Sequence, residues 1–374
     1  MPLMKTWRWL AGAIAWVAGT TTAAAAPMYS VTQVGAVGGW VWSMSAAVNN
    51  HGQVAWTLAD PTEHGWTNHR SLLFTPGAGI TTLGPAHYQV TSLNDAGLTV
   101  GAVIGSDFLQ RPVSVDSRTG LFTLLSPAQG YAADVNNQGD IVGVRYVDRA
   151  NDTVPQSRAT LYRAGAEPVD LQGTTFPDAH TFVAGINDSG QILLMRAGVF
   201  QPTLGSVSAG FSPLPIPAGA HSVWVAHGLT NNGLFTGSID HVTREGWLQG
   251  RAFVWRDGDY HLLPGLSDEE DSTGLAVNAS GTVLGRQGNH IFHYTQETGL
   301  QSLSSLLSSP CWITTVRDIS DSGHIAAVGS CGAGPETLLL LSPLTAPVPE
   351  PASLALLALG LGALTQARRR RDAA

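Results

Sequence analysis

The sequence predicts an all-β fold: a seven-bladed β-propeller of four-stranded blades, closed by an N-terminal strand. The first observation is a motif of a hydrophobic residue, Asn or another polar residue, two variable residues and Gly, as in VNNQG. It occurs seven times, with its glycines at Gly52, Gly97, Gly139, Gly190, Gly233, Gly281 and Gly323. Successive glycines are 42 to 51 residues apart, which is the length of one propeller blade.

Each motif is expected to be a tight turn between two strands. An Asn side chain can bond to its own backbone two residues later, and Gly accepts a positive φ without steric cost. A second pattern follows most turns, as in RAFVWRDGDYHLL from Arg251, and indicates a strand, a glycine turn and another strand. The fourth unit lacks the Arg and has Pro202 in its third strand, so we expect an irregular blade there.

A circular offset favours a closed ring over an open solenoid. The seventh unit has its third strand, ETLLLLSP, but no fourth strand follows it. The stretch YSVTQVG at residues 29–35 precedes the first unit and is similar to the fourth strands of other units. We therefore expect residues 29–35 to pair with residues 338–341, which leaves no unpaired sheet edge.

The N-terminal 26 residues have the layout of a secretory signal peptide. Lys5 and Arg8 precede an apolar stretch and an alanine-rich end. We expect the propeller to occupy residues 27–345, with a short apolar helix outside it at each terminus.

Residues 346–374 contain three elements in a fixed order. A Pro-Glu-Pro triplet is followed by the apolar stretch 352–364, which is short for a membrane span, and then by an arginine cluster. The residues are Pro349, Glu350, Pro351, Arg368, Arg369, Arg370 and Arg371. This segment resembles the PEP-CTERM sorting signal of Gram-negative bacteria.

The resemblance implies an exosortase-type membrane enzyme as a processing partner. It also implies export across the inner membrane, transient anchoring through residues 352–364, and delivery to the cell surface or extracellular matrix. An ordinary C-terminal membrane anchor is the alternative.

The repeats over residues 43–343 resemble the HAF-type extracellular repeats of bacterial surface proteins. The matching features are the hydrophobic-Asn-x-x-Gly turn and the Arg-Ala-apolar strand. The resemblance implies an exported β-repeat protein and carries no established activity.

The charge of the chain and its two cysteines bear on its binding partners and on its cellular compartment. Without its two ends the chain has no lysine and a net charge of about −12, which opposes binding to nucleic acid. Cys311 and Cys331 flank the seventh turn. A hairpin would place them opposite each other, and an exported context permits a disulfide between them. Two free thiols are the alternative.

The expected ligand surface is the face of the ring that carries the long connections, because binding sites are concentrated on long loops of a rigid scaffold. Several tryptophans are expected in these connections, and flat aromatic faces suit sugar rings. The alternative is that these rings fill gaps between blades. The candidate ligand-binding residues are Trp40, Trp42, Trp66, Trp224 and Trp247.

No catalytic residue, metal site or cofactor is expected. The histidines show no zinc spacing, and a strand would place His290 and His293 on opposite faces. The acidic run at residues 268–271 is expected to be a solvated loop, with cation binding as the alternative.

Two functions from different classes remain. The first is a non-catalytic surface or matrix protein that binds an exopolysaccharide, a surface glycan or another surface component through its long-connection face. The second is a secreted propeller enzyme, a hydrolase or lyase, that acts on exopolysaccharide. A pair of carboxylates, or a cluster of a carboxylate and a histidine, at the mouth of the central channel would favour the second.

Overall fold

The structure is a computed structural model that describes residues 27–36, 45–60, 68–148, 155–171, 180–198, 200–225, 228–243, 245–267 and 270–344. Within these residues the chain forms 28 strands and a short 3-10 helix, Leu303–Leu306. In chain order the strands are β1 (Tyr29–Ala36), β2 (Ala46–Val48), β3 (Val54–Asp60), β4 (Asn68–Thr75), β5 (Gly79–Leu83), β6 (Tyr88–Leu93), β7 (Leu98–Ile104), β8 (Gln110–Asp116), β9 (Phe122–Leu124), β10 (Gly130–Val135), β11 (Ile141–Val147), β12 (Gln156–Tyr162), β13 (Val169–Asp170), β14 (Thr181–Ile186), β15 (Ile192–Arg196), β16 (Gln201–Ser206), β17 (Gly210–Pro213), β18 (Ser222–Val225), β19 (Phe235–Val242), β20 (Leu248–Arg256), β21 (Asp259–Leu262), β22 (Ser272–Val277), β23 (Val283–Gln287), β24 (His290–Thr295), β25 (Gly299–Ser302), β26 (Cys311–Ile319), β27 (Ile325–Cys331) and β28 (Thr337–Pro343).

These strands form seven antiparallel four-stranded sheets, which confirms the predicted propeller. Six sheets take four consecutive strands each, from β2–β5 (blade 1) to β22–β25 (blade 6). The first strand of a blade is the innermost, because first strands such as β2, β6 and β10 contact one another around the axis. The fourth strand lies at the outer edge.

The seventh blade is built from both ends of the ring. Its order is β26-β27-β28-β1, so the N-terminal strand supplies the missing outer strand. Val31 pairs with Leu341, and Gly35 pairs with Leu338 across a register shift. The predicted closure is thus confirmed, and a fourth strand covers the edge that β28 would otherwise expose.

The core is divided into seven apolar layers, one between each pair of neighbouring blades. Strand β28 shows how a central strand serves two layers. Leu339 and Leu341 pack between blades 6 and 7, whereas Leu338 and Leu340 pack between blades 7 and 1. Alternate side chains point to opposite faces of a strand, so a continuous leucine run is buried on both faces.

The expected irregularity of the fourth blade is wrong. Strands β14–β17 form a complete four-stranded sheet, and Pro202 lies within β16 opposite Met195. The Pro202 carbonyl accepts the Leu214 amide at 2.9 Å, so the backbone of Pro202 faces the β17 side and no donor is missing toward β15. The Leu214 carbonyl instead accepts the Gln201 side-chain amide at 2.8 Å. No helix in the described residues is long and apolar enough to cross a bilayer. The apolar helices expected at the termini lie outside those residues.

Candidate functional site

The Asn-x-x-Gly segments form tight turns at the inner end of each blade. In blade 3 the Gly139 amide donates to the Asn136 carbonyl at 3.1 Å, and Gly139 has a φ of 82°. The Asn136 Oδ1 accepts the amides of Gln138 at 3.1 Å and Asp140 at 2.9 Å. The side chain therefore caps the turn, and glycine supplies a left-handed conformation that other residues adopt only with strain.

The same asparagine also joins one blade to the next, a role that the sequence analysis missed. The Nδ2 group of Asn94 donates to the Asn136 carbonyl at 2.9 Å, and that of Asn136 donates to the Asn187 carbonyl at 3.0 Å. Asn49 and Asn187 donate in the same way to the following turns. The turns thus form a chain of hydrogen bonds around the axis.

The second residue of the motif adds another set of inter-blade bonds. The Asp95 carboxylate accepts the Asn50 amide at 2.9 Å, and the Asp188 carboxylate accepts the Asn137 amide at 2.7 Å. Residues 42 to 51 positions apart therefore meet side by side. The only trace of these bonds in the sequence is the recurrence of Asn or Asp at this position.

Two turns lack the first asparagine and are joined differently. In blade 5 the Thr230 hydroxyl caps its own turn by accepting the Leu234 amide at 2.8 Å, but it is too short to reach blade 6. Asn232 instead donates to the Ala279 carbonyl at 2.8 Å. In blade 7 the Ser322 amide and hydroxyl donate to Asn50 of blade 1.

The turns surround a polar cavity of about 170 Å³ at the mouth of the central channel. Asp134 and Asp318 line it, each placed by a register shift near the end of its first strand. The Asp134 carboxylate accepts the Ile186 amide of blade 4 at 2.9 Å. The Asp318 carboxylate accepts the Val48 amide of blade 1 at 2.9 Å. Both carboxylates therefore bridge neighbouring blades.

Asp318 has an unusual protonation equilibrium. Loss of water around the carboxylate raises its pKa to about 6, and the charges of Asp134 and Asp321 act in the same direction. Part of its surface still faces the channel. Hydrogen bonds from the Val48 and Ile319 amides oppose the shift without cancelling it. No group of three or more potential metal ligands occurs among the residues that the structure describes.

A second cavity, of about 270 Å³, lies between blades 4 and 5 near the long-connection face. Its aromatic lining comes from Phe182, Phe200 and Trp224. The Phe200 and Trp224 rings stack with centroids 4.3 Å apart, and Phe200 has a φ of 44°. A non-glycine residue in this conformation is strained, and such residues are concentrated at functional sites. Met195 and Arg196 complete much of the wall.

The structure describes two of the five candidate tryptophans, Trp224 and Trp247. Trp224 is 47 % exposed and Trp247 is 72 % exposed, so neither fills a gap in the core. Trp224 lies in strand β18 rather than in a connection, which corrects the expectation, whereas Trp247 lies between β19 and β20. Trp40, Trp42 and Trp66 fall outside the described residues.

Cys311 and Cys331 lie opposite each other at the start of β26 and the end of β27 and form a disulfide. His290 is exposed and its ring lies near that of Trp312 in blade 7, whereas His293 is buried. His293 bonds to the Tyr29 hydroxyl at 3.1 Å, which connects blade 6 to the closing strand.

Residues 268 and 269 of the acidic run lie outside the described residues.

Comparison with solved structures shows the same fold at very low identity. The β-propeller domain of the trilobed protease from Pyrococcus furiosus has a TM-score of 0.57 and 8% identity, covering 85% of this chain and 98% of that domain. That domain has an open velcro topology, whereas β1 closes the ring here. A puromycin-hydrolysing peptidase from Mycobacterium tuberculosis has a TM-score of 0.53 and 14% identity, covering 83% of this chain and 55% of that one.

A virginiamycin B lyase from Staphylococcus aureus is 12% identical, with a TM-score of 0.49, covering 84% of this chain and 99% of that one. At these identities the two structures with TM-scores above 0.5 show only a shared propeller fold. No curated protein matches the sequence significantly.

Residues 347–371 match the PEP-CTERM protein-sorting motif. The match confirms that part of the sequence analysis, whereas the resemblance of the repeats to HAF-type units stays a prediction. The chain therefore carries, next to its propeller, a sorting motif that implies export and processing by an exosortase-type membrane enzyme.

Proposed function

We propose that this is a non-catalytic protein of the cell surface or extracellular matrix that binds a glycan through its long-connection face. The sorting motif supports the destination. The single observation that supports the binding role is the aromatic cavity between blades 4 and 5. The rest of the proposal concerns what this cavity can hold.

The lining of the cavity favours an uncharged ring with an apolar face. Phe182 is 39 % exposed, and together with Trp224 it presents partly solvated aromatic surface. Sugar rings bind such surfaces by placing their C–H face on the aromatic ring and directing their hydroxyls to solvent. A volume of about 270 Å³ accommodates a short terminal segment rather than a long polymer.

The binding test uses the processed protein on a glycan array that includes the host's own exopolysaccharide. Trp224→Ala is expected to weaken binding by about 1 kcal/mol or more, the usual effect of removing a binding anchor. High salt should change the affinity little, because screening acts mainly on exposed charge pairs. Trp312→Ala is the matched control, since Trp312 is also an exposed tryptophan in a first strand but does not line the cavity.

The outcomes of this test separate a binding site from a structural one. A Trp224→Ala protein that binds normally per folded molecule would exclude the cavity as the glycan site. Loss of thermal stability without loss of binding would assign the tryptophan to packing.

Processing is tested separately with Glu350→Ala. We expect this change to block cleavage while the propeller stays folded, because the triplet lies outside the seven blades. Glu297→Ala, at an exposed position in blade 6, is the control and should be processed normally. Normal release of a Glu350→Ala protein into the medium would reject this role of the triplet.

One observation favours the alternative of a polysaccharide-active enzyme. Asp318, with a pKa of about 6, and Asp134 both line the channel mouth, and glycosidases use a pair of carboxyl groups. Each carboxylate is already bonded to the backbone of a neighbouring blade, which supports a structural role instead. Release of reducing sugar from the exopolysaccharide by the wild type but not by Asp318→Asn would establish the enzyme.

A further inference from the structure

Both ends of the described chain leave the ring at one place. The Leu344 amide donates to the Met28 carbonyl at 2.8 Å, and the Met28 amide donates to the Leu306 carbonyl at 2.7 Å. Met28 precedes the outer strand of blade 7, and Leu306 belongs to the 3-10 helix that follows blade 6. The exit point therefore lies at the outer rim of the ring, where blades 6 and 7 meet.

The rim at this point carries no charged side chain in the three segments that form it. Residues 28–32, 303–310 and 340–344 contain no Asp, Glu, Lys or Arg. Their exposed residues include the hydroxyl-bearing Ser305, Ser308 and Ser309 and the apolar Met28 and Leu344. We call residues 28–32, 303–310 and 340–344 the neutral rim. Uncharged stretches also occur elsewhere, as at residues 197–239, so this rim is distinguished by its position beside the chain exit.

The sorting motif is attached directly to the neutral rim. Only four residues, 345–348, separate Leu344 from Pro349 of the triplet. The apolar stretch begins at Ala352, so seven residues, 345–351, connect it to Leu344 and span at most about 25 Å when fully extended. Any membrane anchor that follows the triplet must therefore hold this part of the ring near the bilayer.

We propose that in the membrane-anchored form the neutral rim faces the lipid surface and blade 3, on the opposite side of the ring, points away from it. The inference rests on the proposed sorting role of residues 347–371. A surface without carboxylates approaches anionic headgroups without the repulsion that an acidic surface meets. The cavity between blades 4 and 5 lies away from the rim and stays accessible during anchoring.

The test places one fluorescent label on each side of the ring in the full-length chain. Ser305→Cys labels the neutral rim, and Glu167→Cys labels an exposed position in blade 3. Each new thiol reacts alone, because Cys311 and Cys331 are joined in the disulfide. The protein is reconstituted into vesicles of phosphatidylethanolamine and phosphatidylglycerol that contain an acceptor-labelled lipid. We expect energy transfer to be severalfold higher from position 305 than from position 167.

A long Gly-Ser insertion between Thr345 and Ala346 is the matched control. A flexible tether removes the restraint, so the two labels should then transfer energy to similar extents. Equal transfer from both labels without the insertion would overturn this inference while leaving the anchor intact. Failure of the chain to float with the vesicles would overturn the anchor as well.

Discussion

One face of the ring consists of seven short turns of nearly one sequence, whereas the connections on the other face differ in length and composition. On the turn face the buried asparagines cap their own turns and bond to the next blade. On the long-connection face Trp224 and Trp247 are exposed, and Phe200 is held at a positive φ. The repeated face is thus architectural, whereas the variable face carries the exposed aromatic side chains on which the proposed binding role depends.

The comparison also shows why repetition alone does not identify a site. Each turn provides hydrogen-bond partners for buried polar groups of the neighbouring blade. This matters because a buried donor without a partner costs free energy of folding. The aromatic cavity depends on residues from two different blades. The following predictions test this division between the two faces.

The largest effect is expected from removing the closing strand. Deletion of residues 27–36 from the processed protein exposes the edge of β28 and removes the buried Tyr29 and Val34 side chains. Each buried side chain of this size contributes about 2 kcal/mol, so we expect a loss of more than about 4 kcal/mol and a tendency to aggregate. Urea unfolding measures the loss. An unchanged midpoint would mean that β1 does not hold the ring closed.

A smaller effect is expected from a single turn. Asn136→Ala removes the cap of one turn and the bond to blade 4, and should cost about 2–3 kcal/mol because buried amides lose their partner. Asn136→Thr keeps a capping hydroxyl, as Thr230 does in blade 5, and should cost about 1 kcal/mol. The difference between the two variants in chemical denaturation measures the cap, and the remaining cost measures the inter-blade bond.

The pH dependence of stability tests the channel mouth. The folded-state pKa of Asp318 is about 6, above its unfolded value, so this group stabilises the fold at low pH and loses that contribution as pH rises through 6. Because Asp318 keeps some contact with solvent, we expect no more than about 2 kcal/mol. Asp318→Asn should abolish this contribution, which is measured as the change in the slope of unfolding free energy against pH.

Between about pH 4 and 6, titration of His293 changes the unfolding free energy in the opposite direction to titration of Asp318. Burial lowers its pKa to about 4, so its neutral form stabilises the fold above the ordinary histidine pKa, and this stability is lost as pH falls toward 4. The wild type should therefore show a shallow pH profile, and Asp318→Asn should be markedly less stable at pH 4 than at pH 7. A profile with the same slope in both proteins would show that Asp318 titrates normally.

The smallest effect on stability is expected on the long-connection face. Trp247 is 72 % exposed, so Trp247→Ala should change the unfolding free energy by less than about 0.5 kcal/mol. The same change should weaken glycan binding if Trp247 belongs to the binding face. Destabilisation well above this limit would mean that the connection between β19 and β20 is a packed element.

Much of the fold could be predicted because its signals are local. The turn at Gly139 needs a residue that accepts a positive φ, and the glycine is visible in the sequence. The pairing of β1 with β28 could be predicted from a missing fourth strand. The expectation for blade 4 was wrong because Pro202 was judged by its missing N–H, whereas its position in the sheet lets the strand pair normally.

The candidate site was less predictable because it depends on contacts between residues of different blades. Phe200 and Trp224 come from different blades, and nothing in either segment alone indicates that the rings stack. Asp134 and Asp318 are far apart in the sequence, and only closure of the ring places both at the mouth of the channel.

The sequence by itself determined the number of blades, the positions of the turns, the closing strand and the sorting motif, because each depends on local conformation or on a linear signal. Only the tertiary structure decided which polar groups meet across blades, which aromatic rings enclose a cavity and where the chain leaves the ring. The physical reason is that these properties arise from contacts between different blades, and their energies depend on burial and geometry that exist only once the ring has closed.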